Sequence, residues 1–150
     1  MKQSKRSKSL GLFANLVKAI DWYDMSLQSV LSSRNMTFVN RTQSIILLHI
    51  AQGTTRPSDI AMEMGTTRQN VHAMANQLIE KGLLRLEQDR EDRRARIYVF
   101  TEESQGLRDG VIRVLKQLDR ELGKRIGSDS VQALRTALSK DWGSPIGGQN

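Results

Sequence analysis

Residues 57–101 read PSDIAMEMGTTRQNVHAMANQLIEKGLLRLEQDREDRRARIYVFT, and they contain the strongest signals for secondary structure in the chain. Its first part predicts two short helices, because Pro57 suits a first helical turn and Gly65 is placed to end that helix. Thr67 is placed to cap a second helix, which ends near Gly82. About three residues separate the two helices, a spacing that is typical of a helix-turn-helix.

Two β-strands are predicted downstream of these helices, over residues 83–88 and 96–101. Leu84 and Leu86 alternate with charged neighbours in the first strand, and the second strand is β-branched and aromatic. The polar, arginine-rich loop 89–95 joins the two strands. Helix, turn, helix and hairpin in this order predict a winged helix-turn-helix, and hence a chain that is mainly α with a small β-hairpin wing.

Helices are also predicted on both sides of this segment. Apolar residues recur at intervals of three and four from Leu10 to about Ser33, and again along a long helix that follows the hairpin. These apolar stripes require a partner surface, which favours a homodimer over packing within one chain. The expected parts of this single domain, residues 1–150, are a disordered basic tail 1–9, a helical dimerisation platform 10–53 and 102–141, a winged helix-turn-helix head 54–101, and a flexible tail 143–150.

Composition excludes several classes of site. The chain of 150 residues has no cysteine, which excludes disulfides, thiolate metal sites and thiol redox sensing. Two histidines cannot form a histidine-rich metal site, and no phosphate loop, nucleophile elbow or metal-ligand spacing occurs. We therefore expect no cofactor, no metal and no enzymatic activity. The longest apolar run, residues 45–48, is far too short for a membrane span, so no membrane partner is expected.

The net charge of +7 comes mainly from the N-terminal third of the chain. Residues 1–53 carry seven basic and two acidic side chains, and four of the basic ones are Lys2, Lys5, Arg6 and Lys8. A basic composition of this kind hints at nucleic acid or an anionic surface, but it identifies neither of them. The positions of individual arginines carry more information.

The helix that begins at Arg68 is predicted to have a polar outer face. On a helical wheel Val71, Ala75 and Leu78 fall on one side and the amide side chains on the other. Glutamine and asparagine can pair with adenine edges, a small residue permits close approach, and a helix start favours phosphates. The candidate DNA-binding residues of this helix are Thr67, Arg68, Gln69, Asn70, His72, Ala73 and Asn76. The alternative is an ordinary solvated helix face, with His72 as an exposed histidine.

Several of these segments carry a family resemblance. They are Pro57-Ser58-Asp59-Ile60-Ala61, Gly65, Leu78-Ile79-Glu80-Lys81-Gly82-Leu83, Asp89-Arg90-Glu91-Asp92-Arg93-Arg94-Ala95 and Thr101. Together they resemble the MarR family of bacterial transcription regulators. The likeness covers about residues 55–107 in motif detail, and the flanking helices agree with the family only in length and order. Ser104 stands where the family usually has glycine and Phe100 where it more often has leucine, which affects the expected start of the long helix.

The resemblance implies a two-fold homodimer with two winged heads, in a bacterial, cytoplasmic and nucleoid-associated protein. Each recognition helix would enter the major groove of double-stranded DNA at an inverted-repeat operator, with half-sites ~34 Å apart. Arg94, oriented by Asp92, would reach the neighbouring minor groove, where narrow A·T-rich tracts concentrate negative potential. The candidate DNA-binding residues of the wing are Arg90, Asp92, Arg93 and Arg94. The alternative for Arg90, Arg93 and Arg96 is ion pairing with the neighbouring carboxylates.

Members of the family often release DNA when a small anionic compound, commonly aromatic or phenolic, binds between the platform and the head. The candidate ligand-binding residues in the corresponding region are Trp22, Met36, Phe38, Arg41 and His49. Arg41 could pair with a carboxylate in bidentate geometry, and the aromatic rings could stack on the ligand. The alternatives are core or dimer contacts for Trp22 and Phe38, and a satisfied buried histidine for His49.

Two functions are open on these grounds. The first is a sequence-specific repressor that a small-molecule effector releases from its operator. The second is a non-specific architectural DNA-binding protein that uses the basic tail. The second function predicts a steep salt dependence with little discrimination between DNA sequences.

Overall fold

The computed structural model describes residues 10–147, which form helices and one antiparallel hairpin. The elements in chain order are α1 (Gly11–Ser33), α2 (Arg41–Ala51), α3 (Pro57–Met64), α4 (Arg68–Glu80), β1 (Leu84–Gln88), β2 (Arg96–Phe100), α5 (Gln105–Ile126) and α6 (Ser128–Leu138). The predicted fold class, mainly helical with a two-stranded wing, is confirmed. The predicted basic tail 1–9 and the last residues of the predicted C-terminal tail, 148–150, lie outside the described residues. Within 10–147, none of the helices combines the length and the apolar character that a membrane span needs.

Local sequence signals set the helix ends that form the helix-turn-helix. Gly65 ends α3 in the left-handed conformation (φ 63°) that favours glycine. Thr67 then caps α4, since its hydroxyl oxygen accepts the backbone N–H of Asn70 at 3.1 Å. α2 begins with a capping box, in which the side chains of Asn40 and Gln43 each accept the other's backbone N–H. These caps fix where α2 and α4 begin.

The winged head, residues 54–101, packs with α2 around one buried cluster. Leu84 pairs with Phe100 and Leu86 with Tyr98 across the hairpin. Tyr98 also donates its backbone N–H to the Thr55 carbonyl at 2.9 Å, which attaches the hairpin to the segment before α3. The buried members of the cluster are Val39, Ile46, Ile50, Ile60, Ala61, Val71, Ala75, Leu78, Leu83, Leu84 and Tyr98.

A second and smaller cluster packs α1 against α5. Its buried members are Leu31, Val114 and Leu118. Trp22 and Tyr23 pack against these residues and against each other, edge to face, with ring centroids 4.9 Å apart. The Tyr23 hydroxyl donates to Asp119 at 2.7 Å, and burial together with this hydrogen bond raises the pKa of Tyr23 to about 12. Trp22 is therefore a packing residue between α1 and α5.

The turn between the wing and α5 contains the serine that departs from the family pattern. Ser104 is buried, and its backbone N–H lies 3.2 Å from the hydroxyl oxygen of Thr101. The Ser104 hydroxyl in turn donates to the Thr101 carbonyl at 2.7 Å. These two hydrogen bonds hold the turn after which α5 begins at Gln105.

Candidate nucleic-acid interface

The outward face of α4 carries free amide side chains. Val71, Ala75 and Leu78 are fully buried and fix the orientation of the helix. Gln69, Ala73 and Asn76 are exposed along the same helix. The side chains of Gln69 and Asn76 form no hydrogen bond with another described residue. Their donors and acceptors are therefore available to an external partner, and Ala73 leaves room for close approach.

Thr67 and Asn70 have structural partners at the start of α4. The Thr67 hydroxyl caps the helix, and the Asn70 amide donates to the Thr66 hydroxyl oxygen at 3.0 Å. Both side chains therefore build the turn that precedes the recognition helix. A helix N-terminus formed in this way carries a positive end of the helix dipole, which favours a phosphate.

His72 is held between α4 and the wing. Its Nδ1 lies 2.7 Å from the hydroxyl oxygen of the buried Tyr98, and Arg68 Nε donates to its Nε2 at 3.3 Å. Because Nε2 accepts from Arg68, the neutral ring carries its proton on Nδ1 and donates to Tyr98. Burial raises the pKa of the Tyr98 phenol, so this phenol stays neutral. The sequence grouped His72 with the free polar face, whereas the structure gives it partners on both ring nitrogens.

Backbone hydrogen bonds shape the tip of the wing. Asp89 donates its backbone N–H to the Ala95 carbonyl at 2.9 Å and accepts the backbone N–H of Glu91 at 3.0 Å. Arg56 donates from Nε to the Asp89 carboxylate at 2.9 Å and also contacts it through Nη2. The Glu91 amide and then Arg56 hold the pKa of Asp89 below its usual range. Asp92 accepts the backbone N–H of Arg94 at 3.1 Å, so it orients Arg94 through the main chain.

The guanidinium groups at the tip have no carboxylate partner. Arg90, Arg93 and Arg94 are exposed, and among residues 10–147 none of them forms an ion pair. The alternative in which Arg90, Arg93 and Arg96 pair with neighbouring carboxylates is wrong, because none of the three forms an ion pair among the described residues. Asp89, one of the carboxylates expected to pair with them, is occupied by Arg56 from outside the wing. Sequence reasoning missed Arg56 because its partner is 33 residues away along the chain.

Two of the five candidate ligand-binding residues line a common cavity. This cavity has a volume of about 290 Å³, and its lining consists of Gln28, Leu31, Ser32, Asn35, Met36 and Phe38. Gln28 donates its amide to the Val39 carbonyl at 2.5 Å, and its Oε1 is buried without a hydrogen-bond donor among the described residues. The lining of the cavity therefore combines neutral amides with apolar surface and contains no cation.

The other three candidates lie elsewhere. Trp22 packs between α1 and α5. Arg41 contacts the carboxylates of Asp21 at 2.7 Å and Asp24 at 3.4 Å. His49 is half-buried, and its Nδ1 lies 2.9 Å from the carboxylate of Glu63. The guanidinium that was expected to bind a ligand carboxylate thus already faces two carboxylates of its own chain.

Apolar side chains remain exposed on the outer helices. Phe13 on α1 is 75% exposed, and Leu134 and Leu138 on α6 are 47% and 50% exposed. Other exposed apolar residues of these helices are Leu12, Val17, Ile20, Ile112, Leu115 and Ile126, and exposed Trp142 follows α6. Exposed apolar surface of this extent marks an interaction site more often than a solvated face.

A capped helix with free amides, joined through His72 and Tyr98 to an arginine-tipped hairpin, defines a winged helix-turn-helix DNA-binding protein. The family model of the MarR family matches residues 39–95, from the start of α2 to the wing tip. Over this segment the chain is similar to a family of winged helix-turn-helix transcriptional regulators. No curated protein matches the chain by sequence.

Solved structures share the fold over most of the chain. The transcriptional repressor CouR, bound to a 23-mer DNA duplex, is 24% identical with a TM-score of 0.65, and the match covers 93% of this chain and 96% of that chain. A mutant MarR from E. coli, complexed with operator DNA, is 19% identical with a TM-score of 0.64, over 84% of this chain and 90% of that chain. The transcriptional regulator Tm0710 from Thermotoga maritima is 20% identical with a TM-score of 0.56, over 84% and 88%.

Proposed function

We propose that this chain acts as a homodimeric repressor, which binds an inverted-repeat operator through α4 and the wing. The free guanidinium groups of Arg90, Arg93 and Arg94 carry the proposal, because they can contact DNA without first breaking an ion pair. Gln69 and Asn76 supply the groups that distinguish base edges in the major groove. CouR and the E. coli MarR, which share the fold, were solved with DNA bound.

The wing fits the minor groove through Arg94. Asp92 and Asp89 hold the backbone of the tip, so the loop is ordered before DNA is bound. A preordered loop loses less conformational entropy on binding than a mobile one. A guanidinium on such a loop suits the narrow minor groove of A·T-rich DNA, where the negative potential is greatest. The basic tail 1–9 lies outside the described residues, so the proposal does not depend on it.

A selection from random double-stranded DNA at physiological salt tests the proposed specificity. We expect the recovered sequences to share an inverted repeat, with half-sites about one helical turn apart. Asn76→Ala should relax the preference at individual base positions, whereas Arg120→Ala, at an exposed arginine of α5, should leave it unchanged. Recovery of unrelated sequences, with an affinity that falls steeply with salt, would support the architectural alternative instead.

The exposed apolar residues of α1, α5 and α6 support a homodimer. They lie on the two ends of the chain, outside the winged head, and a second copy would remove them from water. Sedimentation at micromolar concentration checks this part of the proposal. A dimer is the expected result, and a monomer at that concentration would overturn it.

The cavity between α1 and the α1–α2 loop supports an effector with a hydrogen-bond donor. A volume of about 290 Å³ is near the lower limit of small-molecule pockets, so one aromatic ring is the appropriate size. The buried Oε1 of Gln28 requires a donor, and the described lining residues include no cation. We therefore narrow the expected ligand class from aromatic anions to neutral phenols, whose hydroxyl can donate to Gln28.

Calorimetry with phenol and benzoate as probes distinguishes these two ligand classes. We expect phenol to bind, and benzoate to bind more weakly or not at all, because its carboxylate has no cationic partner among the lining residues. Gln28→Leu should abolish the difference in affinity between phenol and benzoate. Gln117→Leu, at an exposed position of α5, should preserve this difference. Tighter binding of benzoate than of phenol would contradict this proposal and favour an anionic effector.

A further inference from the structure

We propose that Lys81 and Gln43 form a latch, which holds the C-terminal end of the recognition helix α4 against residues 38–40. A ligand in the cavity lined by Gln28 and Phe38 would act on α4 through this latch. The second half of this inference rests on the proposed effector function. The first half concerns the described contacts alone. Lys81 and Gln43 are positioning residues, because they act through α4 and need not touch DNA.

Lys81 joins the C-terminal end of α4 to the loop between α1 and α2. Its Nζ donates to the Phe38 carbonyl at 2.6 Å and lies 5.6 Å from the centroid of the Phe38 ring. It also lies 3.5 Å from Oε1 of Gln43. One ammonium group therefore contacts the carbonyl and the ring of the same residue, 43 positions away along the chain.

Gln43 is the buried part of the latch. The residue is 1% exposed, and its Nε2 donates to Oε1 of Gln77 on α4 at 2.7 Å. Its Oε1 accepts the backbone N–H of Asn40 at 3.0 Å, which is half of the capping box of α2. The same side chain thus starts α2 and contacts α4. A buried amide with partners on both ends resists displacement, since each lost partner leaves a desolvated polar group.

The opposite side of this loop faces the cavity. Phe38 and Gln28 both line it, and Gln28 donates to the Val39 carbonyl. Residues 38–40 are therefore held from α1 by Gln28 and from α4 by Lys81. A ligand that displaces the Phe38 ring alters the contact between this ring and the Lys81 ammonium group. This difference in contacts between the empty and the occupied state is what coupling between two sites requires.

Hydrogen exchange on the free protein tests the latch without DNA and without a ligand. We expect Lys81→Met to accelerate amide exchange in residues 38–41 and 76–81 by roughly tenfold or more. Lys81→Arg keeps a cationic donor and should stay close to the wild type. Lys116→Met removes the same charge from exposed α5 and should leave both segments unchanged. Unchanged exchange in Lys81→Met would overturn the latch, whether or not the chain recognises an operator.

A covalent occupant tests the connection to the cavity, since the natural chain has no cysteine. Ser32 lines the cavity, whereas exposed Ser29 on the same helix does not. Ser32→Cys modified with N-phenylmaleimide should accelerate exchange along residues 68–81 and weaken DNA binding by roughly 5- to 100-fold. Ser29→Cys modified in the same way should change neither quantity.

Combining the label with Lys81→Met completes the test. If a bound group acts on α4 through the latch, the label at position 32 should cause little further change in the amide exchange of α4 once Lys81 is replaced. A full label effect in the Lys81→Met background would overturn the transmission through Lys81. Because exchange is measured without DNA, failure of the latch can be distinguished from failure of the proposed operator binding.

Discussion

Arg94 and Arg56 are two arginines with different roles at the wing. Arg56 is bound to Asp89, whereas the Arg94 guanidinium has no carboxylate partner among the described residues. We expect Arg94→Ala to weaken operator binding about tenfold or more, since a lost guanidinium contact to DNA costs roughly 1–3 kcal/mol. The Tm should not change. Fluorescence anisotropy and thermal unfolding of one preparation measure both quantities, and wild-type affinity in Arg94→Ala would exclude this residue from the interface.

The bond between His72 and Tyr98 connects α4 with the wing at the level of single atoms. Tyr98→Phe removes the hydroxyl oxygen and leaves Nδ1–H of half-buried His72 without its acceptor. We expect a loss of about 1 kcal/mol in the free energy of unfolding. A double-mutant cycle with His72→Ala, followed by urea denaturation, isolates the pair. Additive effects of the two substitutions would show that the two side chains do not interact.

At the scale of the element, the wing depends on a charged Asp89. The Glu91 amide and Arg56 lower its pKa, so its stabilising contribution is fully present above the ordinary aspartate pKa and is lost as the pH falls through the lowered value. We expect Asp89→Asn to be less stable at neutral pH and to lack this acid-dependent component. Thermal unfolding of both proteins, measured between neutral pH and about pH 2, checks this difference in the pH dependence of stability. Glu103→Gln is the control, because this exposed carboxylate forms no ion pair within residues 10–147.

The helices and the hairpin were predictable from sequence because their signals are local. Pro57, Gly65 and Thr67 mark the helix ends by the backbone conformations and hydrogen bonds that these residue types favour. The inward and outward faces of α4 follow from the periodicity of its apolar residues, so the exposure of Gln69 and Asn76 could also be predicted from sequence.

The polar contacts between elements were not predictable in this way. Arg56 meets Asp89, His72 meets Tyr98 and Lys81 meets Phe38 over 33, 26 and 43 residues of sequence. No local pattern specifies which distant charges and hydroxyls meet after folding. For the same reason the sequence grouped Arg41 and His49 with the ligand candidates, whereas the structure gives both a carboxylate partner within the chain.

At the scale of the whole molecule, dimerisation depends on the exposed apolar residues of the outer helices. Leu134→Asp on α6 places a charge where a partner copy would bury an apolar side chain, and we expect it to produce a monomer. Met62→Asp on α3 is a matched control, because Met62 is 75% exposed but lies in the winged head. Sedimentation and circular dichroism together separate dissociation from unfolding. If the Leu134→Asp variant still forms a folded dimer, Leu134 of α6 does not belong to the dimer interface.

The most direct measurement compares the affinity of the full chain for two DNA duplexes at physiological salt. One duplex carries the region upstream of its own gene, and the other carries a scrambled sequence of equal composition. We expect a ratio of about 10³ or more between the two affinities, since specific sites typically exceed non-specific DNA by that factor. Equal and strongly salt-dependent affinities for the two duplexes, together with no enriched inverted repeat in the selection, would contradict a sequence-specific regulator.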